Sequence, residues 1–326
     1  MDVFLRQTAT VDNEDSRDKV QDNKEGKIIL EQLADYVSKK TMKDFADEFK
    51  SLPNTLIKSY DDSQKSENIS KNRYKGIYPY DYNRVVLDDG DSDYINASYI
   101  NGYNKIKAYI ASSGPTYKYM GDMSAFWIMV WQENVGKIVM LTNISDAGVP
   151  KCDQYWPKED FSLTFANIQV TCHTEEIYTN YIFRSFSIRK DMVTRKVFQM
   201  HYTAWPDEGT PIDVTSLIEF RQRINQIKTQ LDGPIIVHCS AGIGRTGTYI
   251  ALDSIINEGE TEGAVDIYSC VRNIREQRVN MIETIEQYEY LHNAVVQSLT
   301  YDSNDASSRF REYMNTRSTD HLEKYV

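Results

Sequence analysis

Long apolar runs are missing from this chain of 326 residues. None reaches the ~18 residues that a membrane-spanning helix needs, and the opening Met1 to Arg6 turns acidic at Asp2, too soon for a secretory signal. Direct insertion into a membrane is therefore not expected. Cysteine is scarce: Cys152, Cys172, Cys239 and Cys270 are widely spaced with no Cys-x-x-Cys pair, which argues against a disulfide scaffold and a structural zinc site. The five histidines, His173, His201, His238, His292 and His321, lack metal-site spacing as well, so no metal and no cofactor is expected. Positive charge is in deficit, with 37 Lys and Arg against 48 Asp and Glu and a formal net charge of −11. Nucleic acid and anionic lipid are accordingly not expected partners. Screening beyond about 8 Å at physiological salt limits the long-range repulsion of an anionic substrate, whose recognition must then come from a locally positive pocket. Asn-x-Ser at Asn68, Asn96 and Asn143 is read as chance, because no secretory signal accompanies it.

Hydrophobic residues make up 40% and aromatic residues 12% of the chain, enough for a sizeable core. The stretch Pro234 to Gly247 organises it. Ile235-Ile236-Val237 is short and β-branched, as a buried strand should be, and the residues from Thr246 onward have helical composition. Between Cys239 and Arg245 lie Ser240, Ala241, Gly242, Ile243 and Gly244, mostly small, so successive N–H groups can turn inward as a nest for a tetrahedral oxyanion at a helix start. That surrounding favours the thiolate of Cys239, the nucleophilic form. The planar fork of Arg245 can grip two oxygens of the same anion, and a phosphate ester fits such a site, with the Thr246 hydroxyl placed to stabilise the departing thiolate. Two other readings exist. Gly242-x-Gly244-x-x-Gly247 also satisfies the dinucleotide fingerprint, but no second βαβ half follows. A buried structural cysteine is the other, and the pairing with Arg245 speaks against it.

His238-Cys239-x5-Arg245-Thr246 resembles the phosphate-binding loop of the cysteine-dependent protein tyrosine phosphatases, and further motifs extend the resemblance over about residues 54 to 300. Trp205-Pro206-Asp207-Glu208-Gly209 resembles the family's mobile loop, in which the residue at Asp207 is the general acid; a solvated turn aspartate is the alternative. Tyr74, in Lys71-Asn72-Arg73-Tyr74, falls where the family stacks a tyrosine on the substrate ring, making the pocket deep enough for phosphotyrosine and too deep for phosphoserine. Lys151 to Pro157 also follows the family pattern, while Asp146 stands where a glutamate pairs with the catalytic arginine; a surface acid is its other reading.

Several positions depart from the family. Gly76 replaces an aspartate, Ser113 a glutamine, and Met123-Ser124-Ala125 a stretch with threonine and aspartate, after a loop about three residues longer. Glu208 adds charge at the rim. Glu283 is the departure of most consequence, because the family has a glutamine there that positions the hydrolytic water; Gln287 remains and can share the task. A carboxylate beside a phosphoryl group costs on the order of 4 kcal/mol at 4 Å and an effective dielectric of 20.

The expected fold is a single α/β domain, a twisted mixed β-sheet flanked by α-helices, over residues 27–300. Residues 1–26 are expected to be disordered and 301–326 to be a polar tail or linker. Apolar spacing predicts helices from Ile28 to before Pro53, in a segment resembling that preceding the first catalytic domain of receptor-type members. Helices are likewise expected over Ser216 to Leu231 and along Val265, Tyr268, Val271 and Ile274, with strands over Thr164–Cys172, Tyr181–Arg189 and Arg195–Tyr202. The resemblance implies hydrolysis of phosphotyrosine in proteins through a phosphocysteine on Cys239, in the cytoplasm, free or as part of a longer receptor-type chain. A phosphotyrosine-binding protein without turnover, or a slow-turnover substrate trap, is the alternative that Glu283 raises.

Overall fold

The β-branched run ahead of Cys239 forms the strand Ile235–His238, and hydrogen bonding on both sides makes it an inner strand of a nine-stranded sheet. The computed structural model describes residues 26–206, 209–211 and 213–300. In spatial order the strands are Arg84–Val86, Tyr94–Gly102, Lys105–Ser112, Ile235–His238, Lys137–Met140, Val193–Tyr202, Tyr181–Lys190, Ile168–Ile177 and Ser162–Phe165. The four strands from Lys105–Ser112 to Val193–Tyr202 run parallel and the outer pairings are antiparallel, so the sheet is mixed as expected. Parallel strands buried on both faces need no alternation, which explains the continuous apolar reading of Lys137–Met140 and Ile235–His238.

Helices cover both faces. Gly244–Glu262 leaves the loop after Cys239 and ends at Gly263, whose φ of +69° is the left-handed stop favoured by glycine. It packs against Ile285–Thr300, which in turn carries the N-terminal helices Leu30–Ser38 and Met42–Ser51. The second of these begins with a capping box in which Thr41 and Asp44 satisfy each other's backbone N–H groups. Asp213 caps Val214–Gln226, its carboxylate accepting from Thr215 N–H at 2.9 Å.

Four local expectations need correction. The strand expected over Thr164–Cys172 is two strands, because Ala166, at a φ of +50°, turns the chain back between Phe165 and Ile168. Val265 lies outside the helical face of Ile267–Gln277, in a two-residue strand paired with Ile28 and Ile29, and that pairing also delays the first helix to Leu30. The helix expected to reach Leu231 stops at Gln226. The expectations for 1–26 and 301–326 fall, except for Gly26, outside the described residues.

His201, His238 and His292 are buried. Burial pushes their imidazoles down to about 3, 4 and 4, and the nearby Arg184 guanidinium adds to the effect at His201. Unfolding restores values near 6.5, so between pH 6.5 and 4 the unfolded chain binds more protons. Stability should be complete above pH 6.5 and fall as the pH drops through this window, by on the order of 3 kcal/mol per histidine. Urea unfolding at pH 7 and pH 4.5 measures the effect, and a free energy independent of pH would contradict it.

Candidate active site

Cys239 follows the inner strand, and the loop from Cys239 to Ile243 owes its shape to what holds its carbonyl groups. His238 Nδ1 lies 3.2 Å from the Cys239 carbonyl, and Gly114 N–H donates to that of Ser240 at 2.9 Å. Arg278 donates to those of Ala241 and Gly242 at 3.2 and 2.8 Å, and the N–H groups of Gly247 and Ile282 donate to that of Ile243. Five successive carbonyls are thus held outward. In trans peptides, and no cis bond occurs among the described residues, each N–H points opposite to the carbonyl of its own plane. The N–H groups of Ser240 to Gly244 are thereby turned to the other side, as an anion nest requires.

Cys239 is 5% exposed, and Thr246 Oγ1 donates to its sulfur at 3.2 Å. The first turn of Gly244–Glu262 carries Thr246 and Arg245 together. Arg245 donates to Thr142 Oγ1 at 3.2 Å, to Asp146 Oδ2 from both terminal nitrogens at 3.3 and 3.4 Å, and to the Pro206 carbonyl at 2.9 Å. Asp146 is buried and meets the fork with a single oxygen, its other oxygen accepting from Asn143. The Trp205 ring lies 6.0 Å from the Arg245 guanidinium and its indole N–H donates to Gly209 C=O. Asp207 and Glu208 lie outside the described residues.

Tyr74 Oη is 2.8 Å from Ser240 Oγ, which itself donates to the Lys151 carbonyl at 2.9 Å. Arg73 holds the same segment through the carbonyls of Pro150 and Lys151. Lys151 thus meets the loop with its carbonyl. Opposite, an added Cβ on Gly244 would lie 3.0 Å from Glu283 Oε2 and from the Gln287 amide, so both side chains overhang the loop. The Glu283 N–H donates to Gln287 Oε1 at 2.9 Å, which leaves the Gln287 amino group for another acceptor. Ser113, in place of the family's glutamine, donates to the Ala241 carbonyl at 3.3 Å. The longer loop forms a turn of helix over Tyr117–Met120, and Asp122 then accepts from Ser124 to start Ser124–Gln132.

A Cys-x5-Arg loop with its carbonyls clamped outward and a carboxylate behind its arginine agrees with what the comparisons return. A family model described as protein-tyrosine phosphatase matches residues 68–297, well over half of the chain. The chain belongs to the protein-tyrosine phosphatase family. Receptor-type tyrosine-protein phosphatase C of Rattus norvegicus is 42% identical over 262 residues, 78% of this chain and 20% of that protein. Receptor-type tyrosine-protein phosphatase alpha of Homo sapiens is 40% identical over 268 residues, 79% of this chain and 33% of that protein. The zeta receptor-type phosphatase of Rattus norvegicus is 39% identical over 293 residues, 85% of this chain and 12% of that protein. The chain thus spans at most a third of these relatives' length. Among the described residues, no helix is long and apolar enough to cross a membrane.

Sequence reasoning about this phosphatase domain missed Arg278, Asn96 and Ser98. Arg278 is fully buried and donates to Asn96 Oδ1 and Ser98 Oγ as well as to the loop. Burial lowers it to about 10. Arg278 follows Arg272 and Arg275 of the helix Ile267–Gln277, and nothing in the sequence sets it apart from them.

Proposed function

We propose that the chain hydrolyses phosphotyrosine in proteins through a phosphocysteine on Cys239. The five outward-held carbonyls carry this reading, because they leave a bowl of N–H donors above a thiol that already accepts from Thr246. Cys239 attacks phosphorus and the S–P bond forms as the bond to the phenolic oxygen breaks. Arg245 and the N–H groups hold the equatorial oxygens, Asp207 protonates the leaving oxygen, and Thr246 stabilises the thiolate when water later displaces it. The tie from Tyr74 to Ser240 favours a deep pocket and tyrosine over serine. The reading puts the domain in the cytoplasm, free or as part of a longer receptor-type chain.

A specific observation favours slow turnover. The Glu283 carboxylate overhangs Gly244 of the proposed anion-binding loop, and a charge there repels phosphoryl oxygens where a glutamine amide would not. Rapid-mixing kinetics on an aryl phosphate should show a burst approaching one equivalent of phenol, followed by a slower steady rate. Glu283→Gln should raise the steady rate by about tenfold and shrink the burst. Unchanged phases would make Glu283 a tolerated substitution, and equal hydrolysis of phosphoserine and phosphotyrosine peptides would overturn the tyrosine assignment. Binding of phosphotyrosine peptides with neither burst nor steady rate would identify a binding protein instead.

A further inference from the structure

Behind the sheet from the nucleophile, a row of polar side chains, buried from Arg184 inward, leads to the Cys239 carbonyl. Glu175, Arg184 and Gln199 face one another across three adjacent strands, Glu175 in register with Arg184 and Arg184 with Gln199. Arg184 Nε donates to Glu175 Oε2 at 2.6 Å and a terminal nitrogen to Gln199 Oε1 at 2.8 Å. Gln199 Nε2 is 2.7 Å from Tyr155 Oη, which is 2.8 Å from His238 Nε2, whose Nδ1 reaches the Cys239 carbonyl at 3.2 Å. Gln199, Tyr155 and His238 have no exposed surface and Arg184 is 4% exposed.

The direction of every proton in this row follows from its far end. Arginine can only donate, so the Gln199 oxygen faces Arg184 and its amino group donates to Tyr155. Tyr155, already accepting and with no exposed surface, must donate its own proton to His238 Nε2 or leave it buried unpaired. The His238 proton is then on Nδ1, the tautomer that donates to a carbonyl. A second arm runs from Arg184 to His201 Nδ1 at 3.4 Å and from His201 Nε2 to the Thr142 carbonyl at 2.8 Å, beside the Thr142 hydroxyl that accepts from Arg245.

We propose that Gln199, oriented by Arg184, is a positioning residue that sets the tautomer of His238 and so holds the Cys239 carbonyl away from the anion nest. This inference rests on Cys239 being the nucleophile. Four aligned donors polarise one another, and reversing one of them reverses the set. A glutamate at 199 would accept from both Arg184 and Tyr155; Tyr155 would then accept from His238 Nε2, leaving the Nδ1 lone pair against the carbonyl oxygen.

The test follows alkylation of Cys239 by iodoacetate at pH 6 with and without vanadate, together with the ¹⁵N shifts of His238. The wild type should alkylate fast, be protected by vanadate and carry its His238 proton on Nδ1. Gln199→Glu should move that proton to Nε2 and slow alkylation about tenfold, the scale of one buried hydrogen bond. Tyr155→Phe, which adds no charge, should slow alkylation similarly, and Gln199→Leu combined with Tyr155→Phe should be no slower than either change alone. A folded Gln199→Glu protein with unchanged tautomer and rate overturns the relay alone. If Gln199→Glu does not fold, a Tyr155→Phe rate equal to the wild type's overturns it equally. Wild-type Cys239 reacting like a free thiol, unaffected by vanadate, overturns the catalytic reading and the relay with it.

Discussion

With Cys239 replaced by serine, release of phosphate from a phosphotyrosine peptide should fall by about 10⁴-fold or more, as expected when a covalent nucleophile is removed. A serine hydroxyl fits the space of the thiol but is a far weaker nucleophile than a thiolate, and the neighbouring imidazole of His238 is turned away from it, with Nε2 on Tyr155 and Nδ1 on the Cys239 carbonyl. The groups proposed to bind the anion stay in place, since the loop carbonyls are held by Gly114, Arg278 and Ile282 rather than by the sulfur. Peptide binding should therefore survive within a few-fold while turnover disappears. Isothermal titration with a phosphotyrosine peptide, paired with a phosphate-release assay, separates the two. Turnover within tenfold of the wild type would exclude the phosphocysteine route.

Arg278→Met should cost less in rate but also destabilise the protein. Its four hydrogen-bond acceptors are two loop carbonyls, an amide oxygen and a hydroxyl, and none is a carboxylate. Methionine fills much of the volume but leaves those buried oxygens without donors, which should cost about 3–5 kcal/mol and lower Tm by about 10 °C in a domain of this size. Freed of Arg278, the peptide planes of Ala241 and Gly242 can rotate, and N–H donors misplaced by about 1 Å cost about 10²-fold in rate. Differential scanning calorimetry and kcat/KM on an aryl phosphate read both effects. A protein of normal stability and activity would mean that the loop keeps its shape unaided.

How much of this was legible beforehand depends on the range of the interaction. The strand, turn and helix around Cys239 are written into fourteen consecutive residues, Pro234 to Gly247, so local composition sufficed. Asp146 lies behind Arg245, where the resemblance put it; the resemblance gave Tyr74 and Glu283 with Gln287 roles toward substrate and water, and their contacts with Ser240 and Gly244 were not legible from it. Arg278 with Asn96 and Gln199 with Tyr155 are pairings made across the fold, with polar residues whose partners no periodicity signals. The division of Thr164–Cys172 was missed for a local reason: Ala166-Asn167 is not a strong turn pair, and only the sheet register forces the left-handed conformation there.

The backbone packing around the loop also bears on how such a protein can acquire new substrates. An added Cβ on Gly242 would lie 2.1 Å from the Ser112 carbonyl oxygen, one on Gly114 2.3 Å from that of Cys239, and one on Gly247 2.4 Å from the Ile282 nitrogen. Main chain meets main chain at each point, so no side-chain adjustment can make room, and a single change there has no viable neighbour in sequence space. At the rim, an added Cβ on Gly76 would meet nothing within 4 Å, although its φ of +84° sets a backbone cost for any replacement. Descent with altered specificity is thus channelled: the anion cradle is inherited whole, and heritable variation accumulates in the segments that border it.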